Sequence, residues 1–255
     1  MPEEIEPAKQ APAGGELEQF IRSHSAADLV RVSADPRLTQ DLAFSLLQRR
    51  DLPGEALEAM SKNGAVNQYR RVMLSLVGHP KTPRHVSLGA MRHLYPFELM
   101  QLALSPTVLA DIKHAAEEAI IARLEQTSLG ERFTMARRAS GQVAAALLLD
   151  PEARVIEAAL DNPFLTEALI IRALKHKQAS AALVERVCRH SWSQRAGIRM
   201  ALLQNRSTPA ERLSEYIQSL SNGLLREVLA EAAVPASTRT LLGEELERRG
   251  KAKTV

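Results

Sequence analysis

Two stretches of this chain carry one pattern that decides its fold class. They are ADPRLTQDLAFSLL at residues 34–47 and DNPFLTEALIIRAL at residues 161–174. Each combines a proline turn, a Leu-Thr pair and an apolar segment with helical spacing, and the copies lie 127 residues apart. A turn that stops one helix and starts another is typical of chains built from short helices. Self-similarity at a fixed distance predicts a repeat architecture.

Further landmarks keep nearly the same distance. HPKTP at residues 79–83 matches NRSTP at residues 205–209, and SPTVLADI at residues 105–112 lies beside VPASTRTL at residues 234–241. Within each half, the proline turns recur about every 43–44 residues, which is the period of HEAT and armadillo units. The sequence therefore predicts an all-α chain made of two tandem-duplicated halves.

The predicted domain organisation follows from these landmarks. The first repeat half covers residues 16–124, a divergent helical joint covers 125–143, and the second half covers 144–250. Residues 1–15 are rich in Pro, Ala, Glu and Gly and predict a disordered lead-in, while residues 251–255 form a basic tail.

Helix-period patterns run through almost the whole chain, and no segment predicts a strand. The predicted helices cover residues 17–23, 26–33, 39–49, 53–62, 66–78, 83–93, 96–103, 107–125, 128–138, 141–149, 152–160, 166–176, 181–190, 194–204, 209–219, 223–231 and 236–249.

Threonine and serine before these helices are predicted to act as N-caps. Thr82-Pro83, Thr208-Pro209 and Ser105-Pro106 place a hydroxyl before a proline, which suits the first helical position. Glu211 after Thr208 predicts a capping box, and Ser128 with Glu131 predicts another.

Composition restricts the classes of function. The 255 residues are 45% hydrophobic and only 4% aromatic, which favours a helical core of aliphatic side chains. The single cysteine, Cys188, excludes an internal disulfide and cysteine-ligated zinc or iron–sulfur sites. It follows apolar residues on one helical face and is predicted to be buried. With no secretory signal pattern or long apolar run, we expect a cytoplasmic protein without membrane spans.

The turns also resemble a known class of repeat. VGHPKTPRHVSLGAMRHL and LQNRSTPAERLSEYIQSL are similar to bacterial HEAT-like and leucine-rich-repeat-variant proteins. This resemblance covers most of residues 24–249 and implies a right-handed α-solenoid that serves as a binding scaffold. A known leucine-rich-repeat variant also holds an iron–sulfur cluster, but this chain lacks the cysteines for one.

No catalytic or metal-binding pattern emerges, so no cofactor and no enzymatic activity are predicted. His-Glu-x-x-His, Gly-x-Ser-x-Gly and phosphate-binding glycine loops are missing from the sequence. One minor alternative remains open. Trp192 followed by Arg195 faintly resembles a helix start in HEAT-repeat alkylpurine DNA glycosylases, which need several aromatic residues around an extruded base.

The main functional hypothesis is a scaffold that binds a protein partner. The alternative is contact with nucleic-acid phosphates through bases that recur at turns and helix ends. Outside residues 1–20, which carry a net charge of −4, the chain has a net charge of +7, and 25 of its 33 bases are arginine. The candidate binding residues are His79, Lys81, Arg84, His85, Arg137, Arg138, Lys175, Lys177, Arg189, Arg195 and Arg206.

Overall fold

The structure is a computed structural model in which residues 13–251 are described. Most of the predicted lead-in and the tail after Lys251 lie outside these residues. Within them the chain is all-helical, with no strand and with eighteen α-helices. These are α1 Ala13–Ile21, α2 Ala26–Ala34, α3 Gln40–Leu47, α4 Gly54–Lys62, α5 Gly64–Asn67, α6 Arg70–Gly78, α7 Arg84–Met91, α8 Pro96–Leu104, α9 Ala110–Ile121, α10 Leu129–Arg138, α11 Gly141–Leu147, α12 Ala153–Leu160, α13 Glu167–Leu174, α14 Ala181–Arg189, α15 Ala196–Leu203, α16 Ala210–Ser219, α17 Asn222–Ala230 and α18 Ala236–Lys251.

The predicted helices are confirmed, with ends that differ by up to four residues. One of them, predicted over residues 66–78, is divided into α5 and α6. The division lies at Tyr69, whose backbone is extended. Val66 and Val72 on either side of it are both fully buried. The change of direction therefore lets both valines face the core.

The chain forms two compact units, which meet in sequence between Ala119 and Ile120. In the first unit, α2 packs on α4, while α3 packs on α6 and α6 on α8. Leucine, valine and alanine side chains from α2, α3, α4 and α6 fill its core, and Leu46, Leu57 and Met60 are completely buried.

The second unit repeats this mode of packing. Helices α10, α12 and α14 pack in succession, and α11, α13, α15 and α17 do the same. Within these two series, each helix contacts the next but one along the chain. Short aliphatic residues dominate the contacts, as at Val155, Ile156 and Ala159, which are fully buried. This small-residue core fits the low aromatic content.

Asparagine and histidine side chains connect successive helix ends within each unit. Asn162 donates through Nδ2 to the carbonyls of Ala136 (2.8 Å) and Ala139 (3.0 Å) at the end of α10. Its Oδ1 accepts from the backbone N–H of Phe164 at 2.8 Å. One buried side chain therefore closes its own turn and caps an earlier helix.

The same arrangement recurs at positions 126 or 127 residues apart. His79 donates through Nε2 to the Arg49 carbonyl at 2.9 Å, and Asn205 donates to the Leu174 carbonyl at 3.1 Å. Asn63 donates to the Ser33 and Asp35 carbonyls, whereas its counterpart His190 contacts the side-chain carboxylate of Asp161 in place of a carbonyl. In all four, the side chain also accepts the N–H two residues further on.

The threonine caps predicted before α7 and α16 are wrong. Thr82 and Thr208 each donate a hydroxyl hydrogen bond of 2.6 Å backward, to the Leu76 and Leu202 carbonyls. The N-cap positions belong instead to Pro83 and Pro209, which have no side-chain hydrogen bond. Both threonines are buried, so they satisfy the end of the helix before the turn.

Of the predicted caps at Ser128 and at Ser105, the first is confirmed and the second is wrong. Ser128 and Glu131 form the predicted capping box at the start of α10. Ser105 is the C-cap of α8, and α9 begins only at Ala110, so the predicted cap at Ser105-Pro106 is wrong. In these three pairs, the serine or threonine before the proline interacts with the end of the preceding helix and does not cap the helix that follows.

Replacing His79 tests whether the helix-end contact or the imidazole itself stabilises the first unit. We expect His79→Ala to lower the free energy of unfolding by about 1–3 kcal/mol, because it leaves the partly buried Arg49 carbonyl without its donor. His79→Asn should retain most of that stability, since Asn205 makes the same contacts in the second unit. Urea unfolding of the three proteins measures this, and equal losses for both variants would contradict the assignment.

Candidate functional site

The turns of the second unit lie at two edges. The contacts of Asn162 bring the ends of α10 and α12 together, and the indole Nε1 of Trp192 after α14 donates to the Leu160 carbonyl at 3.0 Å. The connections 139–140, 161–166 and 190–195 therefore share one edge, called here the first edge. Asn205 joins the ends of α13 and α15, which with the connections 175–180 and 204–209 define the second edge. A helix of eight residues separates the edges by about 12 Å.

The predicted bases of this unit divide between the two edges. Arg137, Arg138, Arg189 and Arg195 lie at the first edge, whereas Lys175, Lys177 and Arg206 lie at the second. All seven are exposed. The structure thus brings together two groups of bases in this unit, on opposite edges, in place of a single row.

The bases also differ in their partners. At the first edge, Arg189 pairs with Glu185 (2.6 Å) and Arg195 with Glu167 (3.3 Å). Arg137, Arg138, Lys175, Lys177 and Arg206 form no ion pair with any residue that the structure describes. Exposed ion pairs contribute little to stability, but they reduce the charge that remains available to a ligand.

The four candidate bases of the first unit cluster around the connection between α6 and α7. His79 is buried and acts in the fold through Arg49, as described above. Arg84 lies 3.5 Å from Asp111, and His85 lies 4.0 Å from Glu58. Only Lys81 among them is exposed and has no acidic partner within the described chain.

The first unit contains a groove that the sequence did not predict. It has a volume of about 700 Å³ and crosses the ends of α3, α6 and α8. Leu47, Leu74, Gly78, Leu102 and Val108 line its apolar part. A side chain at position 78 would crowd Leu102 and Val108, at 3.1 and 3.3 Å, so the glycine keeps these helices close.

The rim of the groove is polar and contains no carboxylate. Its residues with amide, hydroxyl or basic side chains are Gln48, Arg50, Ser75, His79, Gln101, Ser105 and Thr107. Such a combination of apolar floor and polar rim is typical of binding sites. The helices that form it are separated by dozens of residues, which explains why no short motif revealed the groove.

The first edge of the second unit carries aromatic side chains. Phe164 is 52% exposed, and the guanidinium of Arg195 lies 4.4 Å from the centre of the Trp192 ring. The Nε2 of His190 lies 3.2 Å from a carboxylate oxygen of Asp161. Sequence reasoning found no acid near Trp192, because Asp161 lies 31 residues earlier. Trp192 itself lies in a 3-10 turn just before α15 and packs at that helix entry.

Cys188 is 4% exposed on the buried side of α14, as predicted. Burial raises the pKa of its thiol, although the neighbouring Tyr216 hydroxyl opposes that effect. Burial also raises the pKa of Tyr216. A thiol with a raised pKa forms less of the nucleophilic thiolate, so this environment favours a packing role.

Histidine, cysteine, aspartate and glutamate side chains form no group of three or more among the described residues that could hold a metal ion. None of the described helices is both long and apolar enough to cross a bilayer.

No protein-family profile, curated protein or solved structure matches this chain. The resemblance to HEAT-like repeats therefore stays a prediction.

The reactivity of Cys188 provides a direct test of its environment. We expect the folded chain at pH 8 to react with a thiol-specific chromogenic disulfide at least about tenfold more slowly than the urea-unfolded chain, because burial restricts access and raises the thiol pKa. The absorbance change over time gives both rates. Equal rates would show that the α14 face is open to solvent.

Proposed function

We propose that this chain is a non-enzymatic α-solenoid scaffold that binds a protein partner in the groove across α3, α6 and α8. Two features support the repeat architecture. Helices contact the next but one along the chain, and side chains 126 or 127 residues apart make equivalent hydrogen bonds. Stacked helical repeats characteristically offer extended binding surfaces.

The groove is the observation that carries the proposal. Leu74 and Gly78 on α6 form its centre, between Leu47 on α3 and Leu102 on α8. This floor would accept an apolar side chain of a partner, while Gln48 and Gln101 at the rim could pair with its backbone. The volume suits one or two side chains of a bound segment.

A photo-crosslinking residue in place of Gln101 tests this function in cells. We expect one partner to be crosslinked and identified by mass spectrometry. Leu74→Glu should reduce its yield at least about tenfold, because a carboxylate would enter the apolar floor. The matched control is Leu88→Glu, which places the same charge at an exposed leucine of α7 outside the groove.

The outcomes separate the proposal from nonspecific capture. Binding in the groove would be contradicted if Leu74→Glu left the yield of the crosslinked partner unchanged. It would also be contradicted if both glutamate variants reduced that yield equally. Thermal unfolding monitored by circular dichroism ensures that each variant retains the helical fold.

A second candidate function is contact with nucleic-acid phosphates at the second edge of the second unit. The supporting observation is that Lys175, Lys177 and Arg206 occupy two turns joined through Asn205, exposed and without acidic partners among the described residues. A carboxylate near these bases would oppose phosphate binding, whereas bases in adjoining turns favour it.

Binding of generic duplex DNA across a salt series tests this second candidate. We expect the logarithm of the affinity to fall linearly with the logarithm of the salt concentration, and Lys175→Glu with Lys177→Glu to make the slope shallower by about 2. Arg137→Glu with Arg138→Glu applies an equal charge change at the first edge and should preserve the slope. Lack of binding at low salt would contradict this function.

A further inference from the structure

We propose that the first edge of the second unit is a separate docking surface for a protein segment in which an apolar side chain is flanked by carboxylates. This surface is defined by Arg137, Arg138, Phe164, Trp192 and Arg195. It lies in a different unit from the groove and does not depend on the function proposed for it.

Phe164 provides a rigid apolar anchor. Its ring is 52% exposed, yet its backbone is held by Asn162, which is 3% exposed and accepts the Phe164 N–H at 2.8 Å. A Cβ added to Gly141 would overlap the Phe164 carbonyl oxygen, so the start of α11 packs directly against this turn. An exposed ring on a fixed backbone needs little further ordering on binding, which favours affinity.

A second aromatic side chain extends the surface. Trp192 is half-buried, donates its indole hydrogen to the Leu160 carbonyl and stacks under Arg195. Phenylalanine, tryptophan and arginine are enriched in protein–protein interfaces. Tryptophan and arginine are also common among the few residues that contribute most of the binding energy.

The charges of this edge determine the chemistry of the partner. Three carboxylates pair with arginine, Glu167 with Arg195, Glu185 with Arg189 and Glu157 with Arg186, while Asp161 contacts His190, which is charged only when protonated. Arg137 and Arg138, consecutive at the end of α10, are exposed and have no acidic partner in the described part of the chain. The charge left over is therefore positive and complements carboxylates.

The same features favour a protein over a nucleic acid. A single-strand platform needs several open rings on which successive bases can stack. Here Arg195 covers one face of the Trp192 ring, and Phe164 is the more exposed of the two rings.

Selection from a displayed library of random peptides on the full chain tests the proposal. We expect the enriched peptides to combine an aromatic or aliphatic residue with several acidic residues. Phe164→Ala should weaken a synthetic peptide of the enriched sequence by ~10- to 100-fold. Arg137→Glu with Arg138→Glu should weaken it to a similar extent, and a version of the peptide with lysine in place of its acidic residues should recover binding to that double variant.

Lys175→Glu with Lys177→Glu is the matched control, because it changes the same charge at the opposite edge, and it should leave the affinity unchanged. Coincident urea unfolding curves would show that these exposed substitutions leave the fold intact. Enriched peptides without acidic residues would overturn the proposal. The proposal would also be overturned if Phe164→Ala left the affinity for the peptide unchanged, or if a single-stranded DNA oligonucleotide displaced the peptide.

Discussion

Short helices end in carbonyl groups that have no partner within the helix, and this fold depends on how those groups are satisfied. In both units, asparagine or histidine side chains from a later turn donate to the end of an earlier helix, as Asn162 does at Ala136 and Ala139. The bond spans about two dozen residues or more, so one interaction closes a turn and also aligns neighbouring helices. Histidine can replace asparagine because Nε2–H donates while Nδ1 accepts, as at His79.

This constraint also shapes the surfaces. Since the contacts hold the ends of alternate helices at a common edge, the exposed residues of the adjoining turns become neighbours although they are distant in sequence. At the first edge of the second unit, the Asn162 turn presents Phe164 beside a turn that holds Trp192 and Arg195. In the first unit, the ends of α3, α6 and α8 converge, and the space between them is the apolar groove. The surfaces proposed for binding thus lie where helix ends meet.

Local chemistry explains which predictions succeeded. The positions of the helices follow from apolar spacing and from turn residues, which act within a few residues of the chain. The failure at Thr82 and Thr208 has a physical reason. A hydroxyl before a proline can serve the helix that follows or the one that ends, and burial in a closed turn favoured the bond to Leu76 and Leu202.

The sequence by itself determined the all-helical composition, the approximate positions of the helices, the 127-residue correspondence and the buried position of Cys188. The tertiary structure alone decided which bases share an edge, which of them are paired and where a groove forms. Alternating helix directions send Arg137 and Lys175 to opposite edges of one unit, although the sequence presents both as basic helix ends. Ion pairs and grooves are formed by residues that come together from separate helices. A local sequence pattern therefore does not encode them.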